Sequence, residues 1–263
     1  MRGNKRSRIT ATALAALAAA VVLWPAPAAA QTADAADAKD PTAMAALDRM
    51  GAYLRTLQTF QVEATTTRED VLENGLKVQL NGVTNLLARK PDRLRINVES
   101  YLKERQYFYD GKEFTLWARR VNYYATVPAP PTIGELVDLL EEKYDIETPL
   151  VDLFRWGTSG ASSAAITAAV YLGPSSVEGT TCQHFAFRQE GLDWQVWIQR
   201  GDFPLPRRLV LTTTTDEARP QFEATYIWNL APSFNDRAFS FDPPADAQRI
   251  IIAQLPPASG ESN

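Results

Sequence analysis

The sequence predicts a single α+β domain, built on one continuous, curved antiparallel sheet with helices on its concave face. Residues 76–127 read as consecutive short strands, in which apolar Leu94, Ile96 and Val98 alternate with polar residues. Asp110-Gly111 lies between two such runs and is typical of a tight hairpin turn. Strands joined in this way form a meander that can keep one face in water. Two other segments have apolar residues at helical spacing and would cover the opposite face.

Residues 1–30 have the features of a cleavable signal peptide. A basic start precedes an apolar run that is shorter than the roughly 20 residues of a membrane span, and Ala28-Ala29-Ala30 suits a signal peptidase site. We therefore expect a soluble protein that is exported to the periplasm. The expected divisions of the chain are a signal peptide at 1–30, a disordered leader at 31–39, a domain at 40–255 and a flexible tail at 256–263.

The charge and the cysteine count limit the classes of function. Removal of residues 1–30 takes away four basic residues and no acidic ones, so the formal net charge moves from −4 to −8. An acidic chain disfavours nucleic acid and anionic membrane surfaces as main partners. Cys182 is the only cysteine, so no intramolecular disulfide can form. The fold must then depend on apolar burial, for which the chain is long enough.

The first helix is predicted from its N-terminus. Asp40 is a favourable N-cap, and Pro41 suits the first helical position. The apolar stripe of this helix comprises Met44, Leu47, Met50, Leu54 and Leu57. Residues 58–71 alternate in polarity and are predicted as the first strand, and Asn74-Gly75 would turn the chain into the meander.

A second helix follows the proline-rich segment that ends the meander. Thr132 and Glu135 have the spacing of a capping box. The apolar face of this helix comprises Ile133, Leu136, Val137, Leu140 and Tyr144. Thr148-Pro149 predicts a cap for a short helical piece that ends at Phe154, and residues 157–163 read as a flexible break. The apolar face suits either a fixed core helix or a lid over a ligand.

The second half of the chain returns to strands, which are predicted at 166–172, 182–188, 192–199, 207–215 and 221–230. Within 192–199, Trp194, Val196 and Ile198 face one way and Trp197 faces the other. Phe239-Ser240-Phe241, which precedes two prolines, predicts a last short strand.

The sequence offers little catalytic chemistry. His184 is the only histidine, and no spacing supplies it with a nucleophile and an orienting carboxylate, so a structural role is favoured. For Cys182, a half-buried small residue is favoured over a reactive thiol. One histidine and one cysteine disfavour a transition-metal site, and no glycine-rich phosphate loop is present in the sequence. We therefore predict no catalytic residue, no metal, no cofactor and no enzymatic activity.

Aromatic residues concentrate in the meander: Tyr101, Tyr107, Tyr109, Phe114, Trp117, Tyr123 and Tyr124. Most should belong to the core, because aromatic side chains dominate core energetics. A curved sheet that is covered only by mobile helices can nevertheless leave an apolar pocket for a ligand.

Several segments resemble a known superfamily. LDRMGAYLRTLQTFQVEAT, LLARKPDRLRI and FYDGKEFTLWARRVNYYATV, with the tail FEATYIWNLAPSFNDRAFSFDPPADAQRI, are similar to the periplasmic lipoprotein carriers of the LolA/LolB-like superfamily. TTCQHFAFRQEGLDWQVWIQRGDFPLPRRL more specifically resembles a family of predicted periplasmic proteins of unknown function within that superfamily. The similarity spans residues 43–252.

This resemblance implies an unclosed antiparallel half-barrel, with a helical lid over a hydrophobic cavity that accepts acyl chains. In the lipoprotein carriers, an arginine directly before the proline of the ARKPDRL-type motif tethers the lid. Here Lys90 occupies that position, and Arg89 lies one residue earlier, on the opposite side of the strand. Lysine cannot form the planar bidentate contacts of arginine, so the chain departs from the pattern of a lipoprotein shuttle.

The leading hypothesis is a non-enzymatic, monomeric periplasmic carrier for a lipid, a lipoprotein acyl chain or another hydrophobic ligand, with a membrane-bound envelope protein as a further candidate partner. Its predicted ligand-binding residues are Leu94, Ile96, Val98, Tyr107, Tyr109, Phe114 and Leu116 on the sheet, and Leu136, Val137 and Leu140 on the lid. The alternative is an interaction or sensor module of the cell envelope without a cavity, which would present an edge strand or the Trp194–Trp197 region to a protein.

Overall fold

The protein is described from a computed structural model, which covers residues 39–158 and 163–255. The predicted signal peptide, the predicted tail and all but the last residue of the predicted leader lie outside the described residues. The same is true of residues 159–162 in the predicted break.

Twelve strands in the described part of the chain form one open sheet. They are β1 (Thr59–Val71), β2 (Lys77–Arg89), β3 (Arg93–Ser100), β4 (Glu104–Tyr109), β5 (Glu113–Ala118), β6 (Tyr123–Pro128), β7 (Ala168–Val177), β8 (Thr180–Gln189), β9 (Leu192–Gln199), β10 (Pro206–Thr213), β11 (Gln221–Asn229) and β12 (Gln248–Arg249). Their order is β12-β6-β5-β4-β3-β2-β1-β11-β10-β9-β8-β7, so β12 and β7 are the two edges. All pairs are antiparallel except β12 with β6. The predicted α+β architecture with a single continuous sheet is confirmed.

The predicted hairpin turns have the expected local geometry. At the turn between β4 and β5, the side chain of Asp110 accepts hydrogen bonds from the backbone N–H groups of Lys112 and Glu113, at 3.0 and 2.9 Å. Gly111 has a φ of +85°, in the left-handed region that glycine adopts without steric cost. Of the Asp-Gly pair, only Gly111 takes a positive φ.

Among the described residues, three α-helices cover one face of the sheet, which we call the inner face, and they form a single apolar core with it. They are α1 (Pro41–Thr56), α2 (Ile133–Tyr144) and α3 (Asp152–Arg155). As predicted, Asp40 caps α1 by accepting a hydrogen bond from the Thr42 N–H at 2.7 Å. The N–H of Asp40 also donates to the carbonyl of Ala169 at 2.9 Å, which attaches the start of α1 to the edge strand β7.

The second helix has the predicted cap and the predicted buried face. The hydroxyl of Thr132 accepts a hydrogen bond from the Glu135 N–H and donates one to the Glu135 carboxylate, at 3.3 and 3.0 Å. The prediction that Thr148 caps the next helical piece is wrong. Residues 148–151 form a turn in which Leu150 has a φ of +60°, and α3 begins only at Asp152, without a side-chain cap.

The C-terminal segment differs from its prediction. Phe239-Ser240-Phe241 does not form a strand; residues Asp236–Phe239 form a 3-10 helix, in which Asn235 caps the first turn. The segment then crosses the opposite, outer face of the sheet in an irregular conformation, where the Phe241 ring packs on Phe108, Trp117 and Tyr124. Packing against these rings replaces the backbone ladder that a strand would need. The last strand is instead β12.

Candidate functional site

Three rows of side chains cross the inner face of the meander. Strand register places the members of each row side by side, because directly opposed residues point to the same face. We call each row of side chains a ladder. The first ladder comprises Phe60, Ala88, Leu94, Tyr109 and Phe114. The second ladder is Val62, Leu86, Ile96, Tyr107 and Leu116. The third ladder is Ala64, Thr84, Val98 and Arg105.

Other side chains of the protein pack over the first ladder. Helix α2 begins beside it, where the Tyr109 hydroxyl donates to the Pro130 carbonyl at 2.5 Å and the Ile133 N–H donates to the Pro91 carbonyl at 2.8 Å. Seven of the predicted ligand-binding residues are at most 3% exposed and belong to this continuous core: Leu94, Ile96, Tyr109, Phe114, Leu136, Val137 and Leu140. Their side chains are already in contact with protein.

Beyond the second ladder the inner face opens into a cleft of about 510 Å³. Three predicted ligand-binding residues, Val98, Tyr107 and Leu116, contribute to its apolar lining. Phe222 of β11 adds to that lining, and residues 145–150, which connect α2 to α3, form the facing wall. The structure thus places three of the ten predicted residues at an open cavity and seven in the packed region beside it.

The cleft contains cationic side chains that the sequence analysis did not select. Arg105 follows Val98 in the third ladder, and Lys103 lies at the rim. No ion pair within residues 39–158 and 163–255 joins either side chain to a carboxylate. The exposed residues Asp145 and Glu147 lie on the opposite wall.

The Tyr107 phenol reports this electrostatic environment. Burial raises its pKa, the nearby Arg105 guanidinium opposes that rise, and the Glu147 carboxylate adds to it. Arg105 and Glu147 therefore act on the same group from two sides of the cleft. The alternation of Arg105, Tyr107 and Tyr109 along β4 is the signal that could have identified Arg105 as an inward-facing residue.

Thr148 was missed as a site residue for a different reason. It lines the cleft, is only 8% exposed, and its hydroxyl has no hydrogen-bond partner among the described residues. A buried polar atom without a partner is rare in folded proteins, because it loses its bond to water without replacement. The sequence indicated a helix cap here, so the hydroxyl was assigned to a bond that it does not form.

The two candidate tethering residues lie on opposite sides of the sheet. The Lys90 ammonium donates to the carbonyls of Leu54 and Arg55, at 2.9 and 3.5 Å, in the last turn of α1. Burial, and secondarily the charge of Arg55, lowers the pKa of Lys90. Arg89 forms an ion pair with Asp236 at 2.6 Å and lies over the Phe239 ring on the outer face. Lys90 therefore contacts α1, not α2.

The single histidine and the single cysteine lie away from the cleft lining. The His184 ring stacks on Trp197 at 3.8 Å between centroids and shares a hydrogen bond of 2.9 Å with Gln195. Burial raises the pKa of the Cys182 thiol. Within the described ranges, no group of three or more histidine, cysteine or acidic side chains is arranged to hold a metal ion.

Comparisons with known proteins give a family match over most of the chain. The family model "Predicted periplasmic protein (DUF2092)" matches residues 43–253. No curated protein matches the chain significantly. Among the described residues, no helix has the length and apolar character to cross a bilayer.

Several solved structures are similar to the chain at low sequence identity. An uncharacterized conserved protein from Thermus thermophilus has 15% identity and a TM-score of 0.45, over 80% of this chain and 99% of that one. LprF from Mycobacterium bovis has 13% identity and a TM-score of 0.44, over 80% and 99%. A LolA superfamily protein from Nitrosomonas europaea has 9% identity and a TM-score of 0.35, over 76% and 97%.

Proposed function

The chain belongs to the DUF2092 family of predicted periplasmic proteins, and from this premise we propose that it is a non-enzymatic periplasmic carrier. Its ligand is a lipid or another hydrophobic molecule, bound in the cleft beside the second and third ladders. In this proposal residues 1–30 are removed on export, and the protein acts as a monomer that exchanges its ligand with a membrane-bound envelope protein.

One observation carries the proposal, namely the cleft on the inner face of the sheet. Its volume of about 510 Å³ lies within the roughly 300–1,000 Å³ that is common for ligand pockets. Val98, Leu116 and Phe222 are partly exposed in this lining, and an apolar ligand that covers them would remove this surface from water. Neither His184 nor Cys182 is among the lining residues, which supports binding over catalysis.

Probe binding tests the location of the site. We expect the neutral fluorescent probe N-phenylnaphthylamine to bind the mature protein, and Leu116→Gln to weaken that binding about tenfold, because the loss of one apolar contact costs roughly 1.5 kcal/mol. Leu116 is partly exposed, so the variant should remain folded, as circular dichroism would check. Leu172→Gln is the matched control, since Leu172 is a 52% exposed strand leucine outside the cleft. Equal binding by all three proteins would remove the cleft as the site.

Native mass spectrometry identifies the ligand class. The protein would be purified from its own periplasm, sprayed under native conditions and then extracted with solvent. A discrete bound mass that extracts as lipid supports the carrier. A ligand-free mass, together with failure to take up added lipid, contradicts it.

The edge strand β7 favours a second candidate, an interaction module of the envelope. One side of its backbone pairs with β8. The other side is bonded near its start, where Ala169 pairs with Lys39 and accepts from the Asp40 N–H, and where the Tyr171 N–H donates to the Asp40 carboxylate at 3.3 Å. Val170 and Leu172 are exposed on this strand, and an open strand edge can pair with an extended segment of another protein. Stoichiometric co-purification of an envelope protein without bound lipid would support this candidate over the carrier.

A further inference from the structure

The cleft joins an apolar surface to a cation that has no carboxylate partner among the described residues. Along the third ladder, Val98 is followed directly by Arg105, and the second ladder beside it ends in Tyr107 and Leu116. The Arg105 guanidinium is half-buried and contacts the Tyr107 phenol, and it has five N–H donors, of which a single contact uses only part. No carboxylate among the described residues forms an ion pair with it.

Arg105 differs in this respect from the other arginine of the cleft. Arg68 also contributes to the lining, but its guanidinium is paired with Asp70 at 2.8 Å. Lys103, at the rim near Arg105, has no ion pair within the described part of the chain. The two cations without a carboxylate partner therefore lie close together along the chain and beside the same apolar surface.

The facing wall adds two carboxylates to the cleft. Asp145 and Glu147 are exposed there, and the charge of Glu147 acts on the Tyr107 phenol, whose pKa it raises. An anionic head is therefore favoured on the β4 side of the cleft, beside Arg105 and Lys103 and away from this wall. The Thr148 hydroxyl lacks a partner among the described residues but is shielded from solvent, so a ligand in the open cleft does not contact it.

We propose that the cleft selects an amphiphile with an anionic head, a carboxylate or a phosphate, whose apolar chain lies along Val98, Tyr107 and Leu116. Arg105 binds the head, and Lys103 adds positive charge at the rim. Arginine suits this role, because its planar donors match the oxygens of carboxylate and phosphate. This inference rests on the proposed carrier function and specifies the ligand of the same cleft.

Three ligands with the same alkyl chain test the selection: lauric acid, lauryl phosphate and lauryl alcohol. Their binding to the mature protein would be measured by calorimetry, below the concentrations at which they aggregate. At least one of the two anionic ligands should bind about tenfold or more tightly than the alcohol, because a charge-assisted hydrogen bond contributes that much. Preference for the acid indicates a fatty acid as the source of the head, and preference for the phosphate indicates a phospholipid; both support the inference.

Amino-acid substitutions test which side chains cause the preference for an anionic ligand. Arg105→Met should reduce the affinity for the preferred anionic ligand about tenfold and leave the affinity for lauryl alcohol unchanged. Arg49→Met removes the same charge at an exposed position of α1, outside the cleft lining, and should change neither affinity. Thr148→Val should raise the melting temperature of the ligand-free protein and leave both affinities unchanged, because it removes an unpartnered buried hydroxyl that the ligand does not reach.

The possible results distinguish a failure of anionic-head selection from a failure of the carrier function. Equal affinity for the acid, the phosphate and the alcohol overturns the selection of an anionic head and leaves the carrier in place. An Arg105→Met effect that is the same for the alcohol as for the anions also overturns it, because the side chain would then act only through packing. Failure of all three ligands to bind contradicts the carrier itself.

Discussion

The ammonium group of Lys90 caps the C-terminal end of α1 by donating hydrogen bonds to its free carbonyls. The carbonyls of the last helical turn have no partners within the helix, and a cation there is favoured by the helix dipole. Lys90 supplies both a donor and a charge to the carbonyls of Leu54 and Arg55. A lysine can do this as well as an arginine, because single carbonyl oxygens do not require a planar fork. The substitution that departs from the lipoprotein carrier pattern thus has a defined structural role.

Replacement of this lysine tests that role. Lys90→Met keeps most of the apolar stem and removes the donor, so we expect the free energy of unfolding to fall by about 1–3 kcal/mol. Arg89→Met is the neighbouring control; its partner Asp236 is 78% exposed, so loss of this hydrated ion pair should cost at most about 1 kcal/mol. Urea unfolding of both variants decides the point. Equal losses would show that Lys90 contributes no more than a surface charge.

Helix α2 packs into the core along its buried face. Ile133, Leu136, Val137 and Leu140 are at most 3% exposed, and the carboxylates of Asp138 and Glu141 pair with Arg155 of α3. A helix held in this way does not leave the sheet at low cost. The open part of the inner face is bounded instead by the connection after α2, at residues 145–150.

Two leucine-to-alanine substitutions on α2 test whether this helix is fixed in the core or is a mobile lid. Leu140→Ala should lower the free energy of unfolding by about 2–5 kcal/mol, because it leaves a cavity in a packed core. Leu139→Ala is the same change one residue away at a partly exposed position and should cost less than about 1.5 kcal/mol. Thermal or urea unfolding measures both. If Leu140→Ala costs no more than its neighbour, α2 is loosely seated and acts as a lid.

The C-terminal segment links strands that are far apart in the sheet. On the outer face, Arg89 of β2 pairs with Asp236, and Arg95 of β3 donates to the carbonyl of Ala238 at 3.4 Å. Phe241 then packs on rings from β4, β5 and β6. Segment 236–241 therefore braces the meander from the side opposite to the helices.

Phe239 anchors this brace and is fully buried. Phe239→Ala should lower the free energy of unfolding by about 3–5 kcal/mol and should speed amide exchange at β12, whose pairing with β6 lies beyond the segment. Phe203→Ala provides the control, since Phe203 is 52% exposed and touches Tyr53 only at the ring edge. Urea unfolding and hydrogen exchange would measure both changes. Unchanged exchange at β12 would show that the brace and the last strand are independent.

Much of the fold could be predicted from local patterns. Alternation in β3 assigned Leu94, Ile96 and Val98 to one face, and the register confirms this, because each opposes another inward residue on β4. Capping signals at Asp40 and Thr132 predicted the starts of α1 and α2 within one residue. These features depend on the alternation of side chains between the two faces of a strand and on hydrogen bonds between residues at most three positions apart. Both can be recognised from short stretches of sequence.

The candidate site needed the tertiary structure. Alternation tells which face a side chain occupies, but Leu94 and Val98 share that face and differ in what covers them: the packed core beside α2 for the first, the cleft for the second. The unpartnered hydroxyl of Thr148, the contact of Lys90 with α1 and the path of Phe239 and Phe241 likewise depend on residues distant in the chain. The sequence alone determined most of the elements and their inner faces, because those follow from local backbone geometry. Only long-range packing decided where the inner face closes and where it remains open, because coverage depends on how elements far apart in sequence meet.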